Sequence, residues 1–394
     1  MACLATMLLA IGGFSLFNWI VDPYGYFRDF ELIGFNANKP KAAGNERLVK
    51  PALMARLKPG AVIVGNSAAE IGLPPTHRGF TKGGTLAPFN LAVPSATWNE
   101  IYCLAIFAMR QPSVKRLVVG VTGVDEATCP SDATLDRVDY GKLLLSRSAF
   151  DASRETMRVQ SQTPSMTREG LWYFDRYERD LQTDSAVTVH FAAMMQSALC
   201  PTASSGPDAP YSTAVHRTAV PSDQGAGLRK LIRLARERQV ELILLFYPTH
   251  VLLGEVLRRC QGPEWLWGPL WQTVSIVDEE TGGDSREVQV WEFADYAPIN
   301  GERIHAGKPA RDRLWQDAIH FNEEVGVAVF DAIYSGESRY GARVTVQNFG
   351  EIVARSEDER RQFLASNPWL PQELDEIVGR ARALAPQNAS IKVQ

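Results

Sequence analysis

The sequence lacks the common signatures of metal and nucleotide sites. Its 394 residues include six histidines and five cysteines, yet they form no H-E-x-x-H motif and no paired C-x-x-C motifs. Nothing in the pattern therefore supports a zinc site. No G-x-x-x-x-G-K-[ST] loop is present to cradle the phosphates of a nucleotide. We expect the protein to work without a metal and without a cofactor.

The chain also lacks an excess of charge of either sign. It has 41 basic and 45 acidic residues, which gives a formal net charge of -4 at pH 7. This balance gives no electrostatic reason to expect a nucleic-acid partner. With 45% apolar residues, the chain can build a large core. Its length suits one large α/β domain with additions, or two modest domains.

Charged side chains are absent from the first 21 residues, which are mostly apolar. About 20 apolar residues span a bilayer, so the segment predicts a transmembrane helix. A positive leading region and a clear A-x-A cleavage site, both typical of signal peptides, are missing. We favour an uncleaved single-pass anchor with the folded domain outside the cytoplasm. A cleaved signal segment and a core helix of a soluble protein remain alternatives.

Short apolar runs alternate with helical patterns along the middle of the chain, as expected for a parallel sheet covered on both faces. The predicted strands are Ala61–Val64, Ala87–Leu91, Leu117–Val121, Leu242–Phe246 and Val288–Trp291, and the predicted crossover helices are Trp98–Arg110 and Gly227–Gln239. The fold class is therefore α/β, with a parallel sheet between two layers of helices.

We divide the chain into an anchor (1–21), a polar approach segment (22–58), an α/β domain (59–334) and a charged helical tail (335–394). The domain carries an insertion at about 125–222, in which helical pieces alternate with loops rich in Thr, Ser and Pro. We expect the insertion to act as a lid that selects the substrate. The tail has the character of a packing or oligomerisation element.

The helical pieces predicted in the insertion are Tyr140–Ser148, Ser165–Glu178 and Ala186–Leu199. Cys129 and Cys200 flank the insertion and would join its ends if they paired in an oxidising compartment. In that arrangement Cys260 is a free thiol. Cys103 lies in an apolar helix and has the character of a packing residue.

The segment Gly65-Asn66-Ser67 directly follows the first predicted strand and precedes a short helical pattern. The pattern predicts a strand-to-helix turn, with Ser67 where the helix begins. A hydroxyl attacks a carbonyl only when a positioned imidazole takes its proton. The alternative is that Ser67 only caps the helix, with its oxygen accepting a backbone N–H.

Asp317 and His320 stand three residues apart near the end of the domain. That spacing places both side chains on one side of a single helical turn. The carboxylate would then fix the tautomer of the imidazole and stabilise its cation. A capping aspartate beside a half-buried histidine is the alternative. Together, the three residues predict a Ser-His-Asp triad of Ser67, His320 and Asp317.

These motifs resemble those of the SGNH (GDSL-type) hydrolase superfamily, which has its serine after the first strand and a D-x-x-H motif near the end of the domain. The resemblance covers roughly residues 51–334 and implies a three-layer, flavodoxin-like fold. The α/β-hydrolases also have the order Ser, Asp, His, but their G-x-S-x-G elbow requires a glycine where this chain has Ala69.

The resemblance also indicates where an oxyanion would bind. Ser95 occupies the position where the family usually has a glycine, and its backbone N–H can still donate. The family's G-x-N-D block is absent, and Tyr247-Pro248-Thr249-His250 stands in its place. This variant is similar to the membrane-anchored bacterial branch related to exopolysaccharide O-acetylation proteins. There His250 would replace the missing asparagine as a donor, or else it is a surface or cap histidine.

The resemblance implies a serine esterase or O-acyltransferase that acts on acylated, most simply acetylated, envelope or extracellular carbohydrate. It implies a single-pass protein of the bacterial inner membrane, with its catalytic domain periplasmic or extracellular and with polysaccharide-assembly proteins as partners. The alternative is an inactive scaffold or binding protein that keeps the fold.

Overall fold

The computed structural model describes most of the chain. The residues it describes are 2–81, 86–124, 126–129, 139–159, 164–173, 183–199, 224–284, 286–305, 307–308, 312–336 and 340–389.

A six-stranded sheet forms the centre of the described structure. Its strands are β1 Ala61–Val64, β2 Pro88–Asn90, β3 Arg116–Gly120, β4 Glu241–Phe246, β5 Val288–Glu292 and β6 Ala342–Val344. They are arranged in the order β2-β1-β3-β4-β5-β6, and all neighbours are parallel except β5 and β6. The order reverses between β1 and β3, and ligands of such sheets bind beyond the strand ends at that point.

Helices cover both faces of this sheet. The α-helices are α1 Ala2–Val21, α2 Glu46–Leu57, α3 Ser67–Gly72, α4 Arg78–Thr81, α5 Trp98–Arg110, α6 Arg147–Arg158, α7 Asp184–Met195, α8 Ala226–Arg238, α9 Val251–Gln261, α10 Glu264–Thr281, α11 Glu323–Ser335, α12 Phe349–Ser366 and α13 Leu370–Ala389.

Alternation along β1 shows how the two faces are filled. Val62 and Val64 lie in one apolar core with residues of α5, α8 and α10. Ala61 and Ile63 lie in a second core with residues of α3, α7, α9, α11 and α13. Successive strand residues point to opposite faces, so each face supplies one core. The predicted α/β class with a largely parallel sheet is confirmed.

The five predicted strands are present to within two residues at each end, but β6 was not predicted. It adds antiparallel to β5, so the sheet continues past residue 334 into the predicted tail. Of the tail helices, α13 buries Leu370, Leu374 and Ile377 in the second core. This burial agrees with a packing element.

The helix predicted at Ser165–Glu178 is wrong for its described part, residues 165–173. Those residues form a loop closed by an antiparallel bridge between Met166 and Trp172. Gly170 has a φ of 86°, which a helix does not allow, and a side chain there would overlap the Asn90 carbonyl. The loop also donates the Trp172 N–H to the Glu70 carbonyl at 3.1 Å, so pairing with the domain replaces helix formation.

Two described parts of the insertion contact the domain near the carboxyl ends of the strands. Trp172 bonds to α3, and Phe191 of α7 packs edge-on against His250 at 4.9 Å between ring centres. Much of the predicted lid, including 174–182 and 200–223, lies outside the described residues. The expectation of a lid therefore stays a prediction.

The predicted cysteine pairing is wrong. Cys129 bonds to Cys103 of α5, which was expected only to pack. Cys260, expected to be free, is also disulfide-bonded, whereas Cys3 is a free thiol. Cys200 lies outside the described residues. The Cys103–Cys129 bond joins α5 to the segment after β3, a contact that spacing along the chain does not reveal.

Helix α1 is long and apolar enough, over Cys3–Val21, to cross a membrane. Only 11% of this stretch is buried inside the protein. A core helix of a soluble protein would be mostly buried, so the low burial argues against that alternative.

Candidate active site

Ser67 lies at the carboxyl end of β1, where it begins α3. Asn66, just before it, has an extended backbone, and its Oδ1 accepts a hydrogen bond from the Ala68 N–H at 3.1 Å. Asn66 is therefore the residue that caps the helix. The alternative in which Ser67 is only a cap is wrong, and the Ser67 hydroxyl is left for another partner.

Asp317 and His320 lie in a tight loop, and the predicted helical turn is absent. The loop is closed by a bridge between Trp315 and Phe321 and by a hydrogen bond from the Gln316 N–H to the His320 carbonyl at 2.9 Å. Inside it, Asp317 Oδ1 accepts the N–H groups of Ile319 at 2.8 Å and His320 at 2.9 Å. The Asp317 carboxylate thus builds the loop that carries the histidine.

The structure brings the three predicted triad residues together. His320 Nε2 lies 2.8 Å from Ser67 Oγ, and His320 Nδ1 lies 2.6 Å from Asp317 Oδ2. A carboxylate only accepts, so Nδ1 carries the proton and Nε2 of the neutral ring accepts the Ser67 hydroxyl. Asp317 is buried, whereas Ser67 and His320 are half-buried. Ser67 and His320 thus keep part of their surface exposed, whereas the carboxylate that orients the imidazole does not.

A buried ion pair between α2 and α3 holds α3 in position. Lys50 of α2 and Glu70 of α3 are almost fully buried, with Nζ 3.0 Å from Oε1. The same Nζ donates to the Ala92 carbonyl at 2.6 Å. The Asn90 amide donates to the carbonyls of Ala69 at 2.8 Å and Leu73 at 3.1 Å. This pair was not predicted from the sequence, because α2 carries four charged side chains and only the structure shows that Lys50 meets Glu70.

Ser95 lies in the loop after β2, on the same edge of the sheet. The Val93 N–H donates to the Gly65 carbonyl at 3.1 Å, which fixes this segment beside the Ser67 turn. Ser95 is exposed and has a φ of 54°. Glycine adopts such a positive φ without strain, which explains why a glycine would also suit this position.

Tyr247, the first residue after β4, contacts the turn that carries Ser67. Its hydroxyl accepts the Asn66 N–H at 3.4 Å, and a side chain on Gly65 or Gly120 would overlap that hydroxyl. Burial raises the pKa of Tyr247, so the group stays a neutral hydroxyl. Gly65 and Gly120 therefore leave the space that the Tyr247 side chain fills. This packing was not predicted from the sequence.

His250 does not act as the predicted oxyanion donor in this arrangement. The residue is fully buried; its Nδ1 accepts the Leu252 N–H at 3.3 Å, and its Nε2 donates to the Glu302 carbonyl at 2.8 Å. Both ring nitrogens are thereby engaged, and His250 is the N-cap of α9. Its ring also packs edge-on against Trp315, with 5.3 Å between ring centres. His250 therefore supports the loop that carries Asp317 and His320.

We expect His250→Ala to lower the free energy of unfolding by about 3 kcal/mol, because two buried hydrogen bonds and aromatic packing are lost. His250→Asn is the matched control, because asparagine keeps an acceptor for the helix N-terminus and should recover about 1 kcal/mol. Denaturant unfolding followed by circular dichroism measures both. A large loss of turnover with unchanged stability would contradict the supporting role.

The same histidine should make stability depend on pH. Burial lowers the pKa of His250 from 6.5 to about 4. Between these values the unfolded chain binds a proton that the folded chain does not. The contribution of His250 to the free energy of unfolding is therefore fully present above pH 6.5 and declines as the pH falls towards 4. The decline should be smaller in His250→Asn.

Comparison with protein-family models, with curated proteins and with solved structures finds no match for the chain. Among the described residues, no group of three or more His, Cys, Asp or Glu side chains is arranged to hold a metal ion. The interpretation of the site therefore rests on the geometry of its own residues.

Proposed function

We propose that the protein is an SGNH-like serine esterase or O-acyltransferase. The observation that carries the proposal is the continuous chain of hydrogen bonds from Ser67 through His320 to Asp317. A nucleophile, a base and a group that orients the base stand in the order that acyl transfer requires. The strand order and the helices on both faces agree with a three-layer, flavodoxin-like member of that superfamily.

In the first half of the reaction, Ser67 Oγ attacks the carbonyl carbon of an ester while His320 Nε2 takes the hydroxyl proton. Asp317 stabilises the imidazolium that forms. Ser67 is the first residue of α3, so its N–H has no acceptor within the helix and can donate to the oxyanion. The Ser95 N–H is the proposed second donor. Collapse of the tetrahedral intermediate expels the alcohol, which receives the proton from His320.

In the second half, a hydroxyl attacks the acyl-serine. His320 takes the proton of this nucleophile and then returns a proton to Ser67 Oγ. If the nucleophile is water, the reaction is hydrolysis; if it is a sugar hydroxyl, the acyl group is transferred. We propose acylated, most simply acetylated, envelope or extracellular carbohydrate as the substrate, on the basis of the resemblance to the membrane-anchored branch.

We propose that α1 anchors the protein in the bacterial inner membrane, with the catalytic domain on the periplasmic or extracellular side. The disulfide between Cys103 and Cys129 supports this side of the membrane, because disulfides persist in oxidising compartments and are rare in the cytosol. Envelope polysaccharide-assembly proteins are the partners that this location suggests.

The experiment that tests the proposal measures hydrolysis of p-nitrophenyl acetate by the purified full-length protein in detergent. We expect turnover well above that of heat-denatured protein. Addition of an oligosaccharide acceptor then separates the two activities, since a transferase releases nitrophenol and acetylates the sugar. Mass spectrometry of the sugar detects the product.

One observation favours the alternative of a non-catalytic scaffold. The block that supplies an asparagine donor in the superfamily is absent, and His250 is engaged elsewhere. A scaffold would bind an acetylated oligosaccharide without releasing acetate. Binding in isothermal titration calorimetry together with no acetate release would therefore decide for the scaffold.

A further inference from the structure

A loop that follows α1 exposes three large apolar side chains. Phe30, Leu32 and Ile33 are 45%, 59% and 70% exposed, respectively. Exposed apolar residues scattered singly are normal on protein surfaces, but a contiguous apolar surface marks an interaction site. These three residues, which we call the apolar tip, fall within four consecutive positions. Their surroundings indicate what covers them.

The apolar tip is held against the last turn of α1. Trp19 of that turn packs edge-on against Phe30 with 5.1 Å between ring centres, and its indole N–H donates to Asp29 at 3.1 Å. The buried Asn36 amide donates to the carbonyls of Ile20 at 3.0 Å and Val21 at 3.2 Å, and Asn36 Oδ1 accepts the Leu32 N–H at 2.8 Å. The loop and the helix end are thus one connected unit.

A buried charge cluster below the loop makes this unit rigid. Asp22 accepts the N–H groups of Tyr26 at 2.9 Å and Arg28 at 2.8 Å. The Lys39 ammonium donates to the Asp22 carbonyl at 2.8 Å, at the carboxyl end of α1. A cation is favourable there because the helix dipole is negative at that end. These buried hydrogen bonds fix the chain between the end of α1 and the apolar tip.

Exposed apolar side chains continue along α1 towards the turn that holds the apolar tip. Leu8 and Leu9 are 61% and 77% exposed, and Leu16 is still 51% exposed. On the other side of the helix, Phe14 and Phe17 already pack against Phe150 of α6, at 5.1 and 5.5 Å between ring centres. The exposed apolar surface of α1 thus continues through Leu16 towards the last turn of the helix, against which the apolar tip packs.

We propose that Phe30, Leu32 and Ile33 form a second membrane contact, which lies at the boundary between headgroups and acyl chains of the bilayer that α1 crosses. The proposal rests on the proposed anchoring by α1 and goes beyond it. Lipid is the occupant because the apolar tip extends the exposed apolar surface of α1 through Trp19. Tryptophan is enriched at that depth of the bilayer. One helix alone would leave the domain free to tilt, whereas two contacts fix its orientation.

The test uses the full-length protein in nanodiscs of phosphatidylcholine and phosphatidylglycerol. A nitroxide is attached to single cysteines introduced into a Cys3→Ser background, with both disulfides kept oxidised. Ile33→Cys reports on the apolar tip and Leu9→Cys on the middle of α1. Val327→Cys on α11, which is 38% exposed, is the control for an exposed apolar residue outside the tip. Collision with oxygen is compared with collision with a water-soluble nickel complex.

We expect the ratio of oxygen to nickel collisions at positions 9 and 33 to exceed that at 327 several-fold. A high ratio at 9 with a low ratio at 33 would overturn the second contact and leave the anchor intact. Low ratios at both 9 and 33 would overturn the anchoring and the second contact together. None of these outcomes depends on catalysis, so hydrolysis of a soluble ester tests the proposed activity separately.

Discussion

Ser67→Ala is expected to lower the rate of ester hydrolysis by about 10⁶-fold, because without the Ser67 hydroxyl no acyl-enzyme can form. Alanine is a good helix former, so α3 and the Asn66 cap should be kept. Steady-state hydrolysis of p-nitrophenyl acetate, with circular dichroism to check folding, measures the effect.

Ser95→Gly is the matched control for that variant. Ser95 lies on the same edge of the sheet as Ser67, but its proposed role belongs to its backbone N–H, and glycine suits its φ of 54°. The rate should therefore stay within a few-fold of wild type. Equal and severe losses in both variants would point to damage to the loop, and an unchanged rate in Ser67→Ala would refute the proposed nucleophile.

Asp317→Asn should lower kcat by about 10⁴-fold, because asparagine presents an amide to His320 and stabilises the wrong tautomer of its ring. Asparagine still offers Oδ1 to the N–H groups of Ile319 and His320, so we expect the loop to keep its shape. Stopped-flow measurement of acylation under single-turnover conditions isolates the affected step.

A second Asp–His pair in the protein supplies the control. Asp331 Oδ1 lies 3.3 Å from His77 Nε2 and also pairs with Arg78, on the surface of α11. Asp331→Asn removes the same charge from the same kind of contact without touching the triad. We expect almost no change in kcat, and a loss comparable to that of Asp317→Asn would contradict the triad.

The parts of the site that sequence analysis found are those set by local chemistry. Ser67 could be identified because a buried strand, a turn and a short helix follow one another directly. Asp317 and His320 could be paired because they are three residues apart. The structure brings all three together, and their catalytic role stays a prediction.

The parts that sequence analysis missed depend on contacts between distant segments. The sequence left His250 either as an oxyanion donor or as a cap, because its ring partners come from α9 and from the Glu302 carbonyl, which lies 52 residues away along the chain. The bond between Cys103 and Cys129 and the pairing of β6 with β5 are likewise tertiary. The 164–173 loop was assigned to a helix because its composition allowed one, while pairing with α3 and β2 overrides that propensity.

The central claim is that Ser67 is an activated nucleophile, and covalent capture by a fluorophosphonate tests it most directly. The probe imitates the tetrahedral state of acyl transfer, so its reaction requires the same base and oxyanion donors as the substrate. Intact-mass and peptide mass spectrometry of the full-length protein should show one adduct, on Ser67, which is absent in Ser67→Ala and strongly reduced in His320→Ala. A correctly folded wild-type protein that forms no adduct at Ser67 would contradict the claim and favour the scaffold.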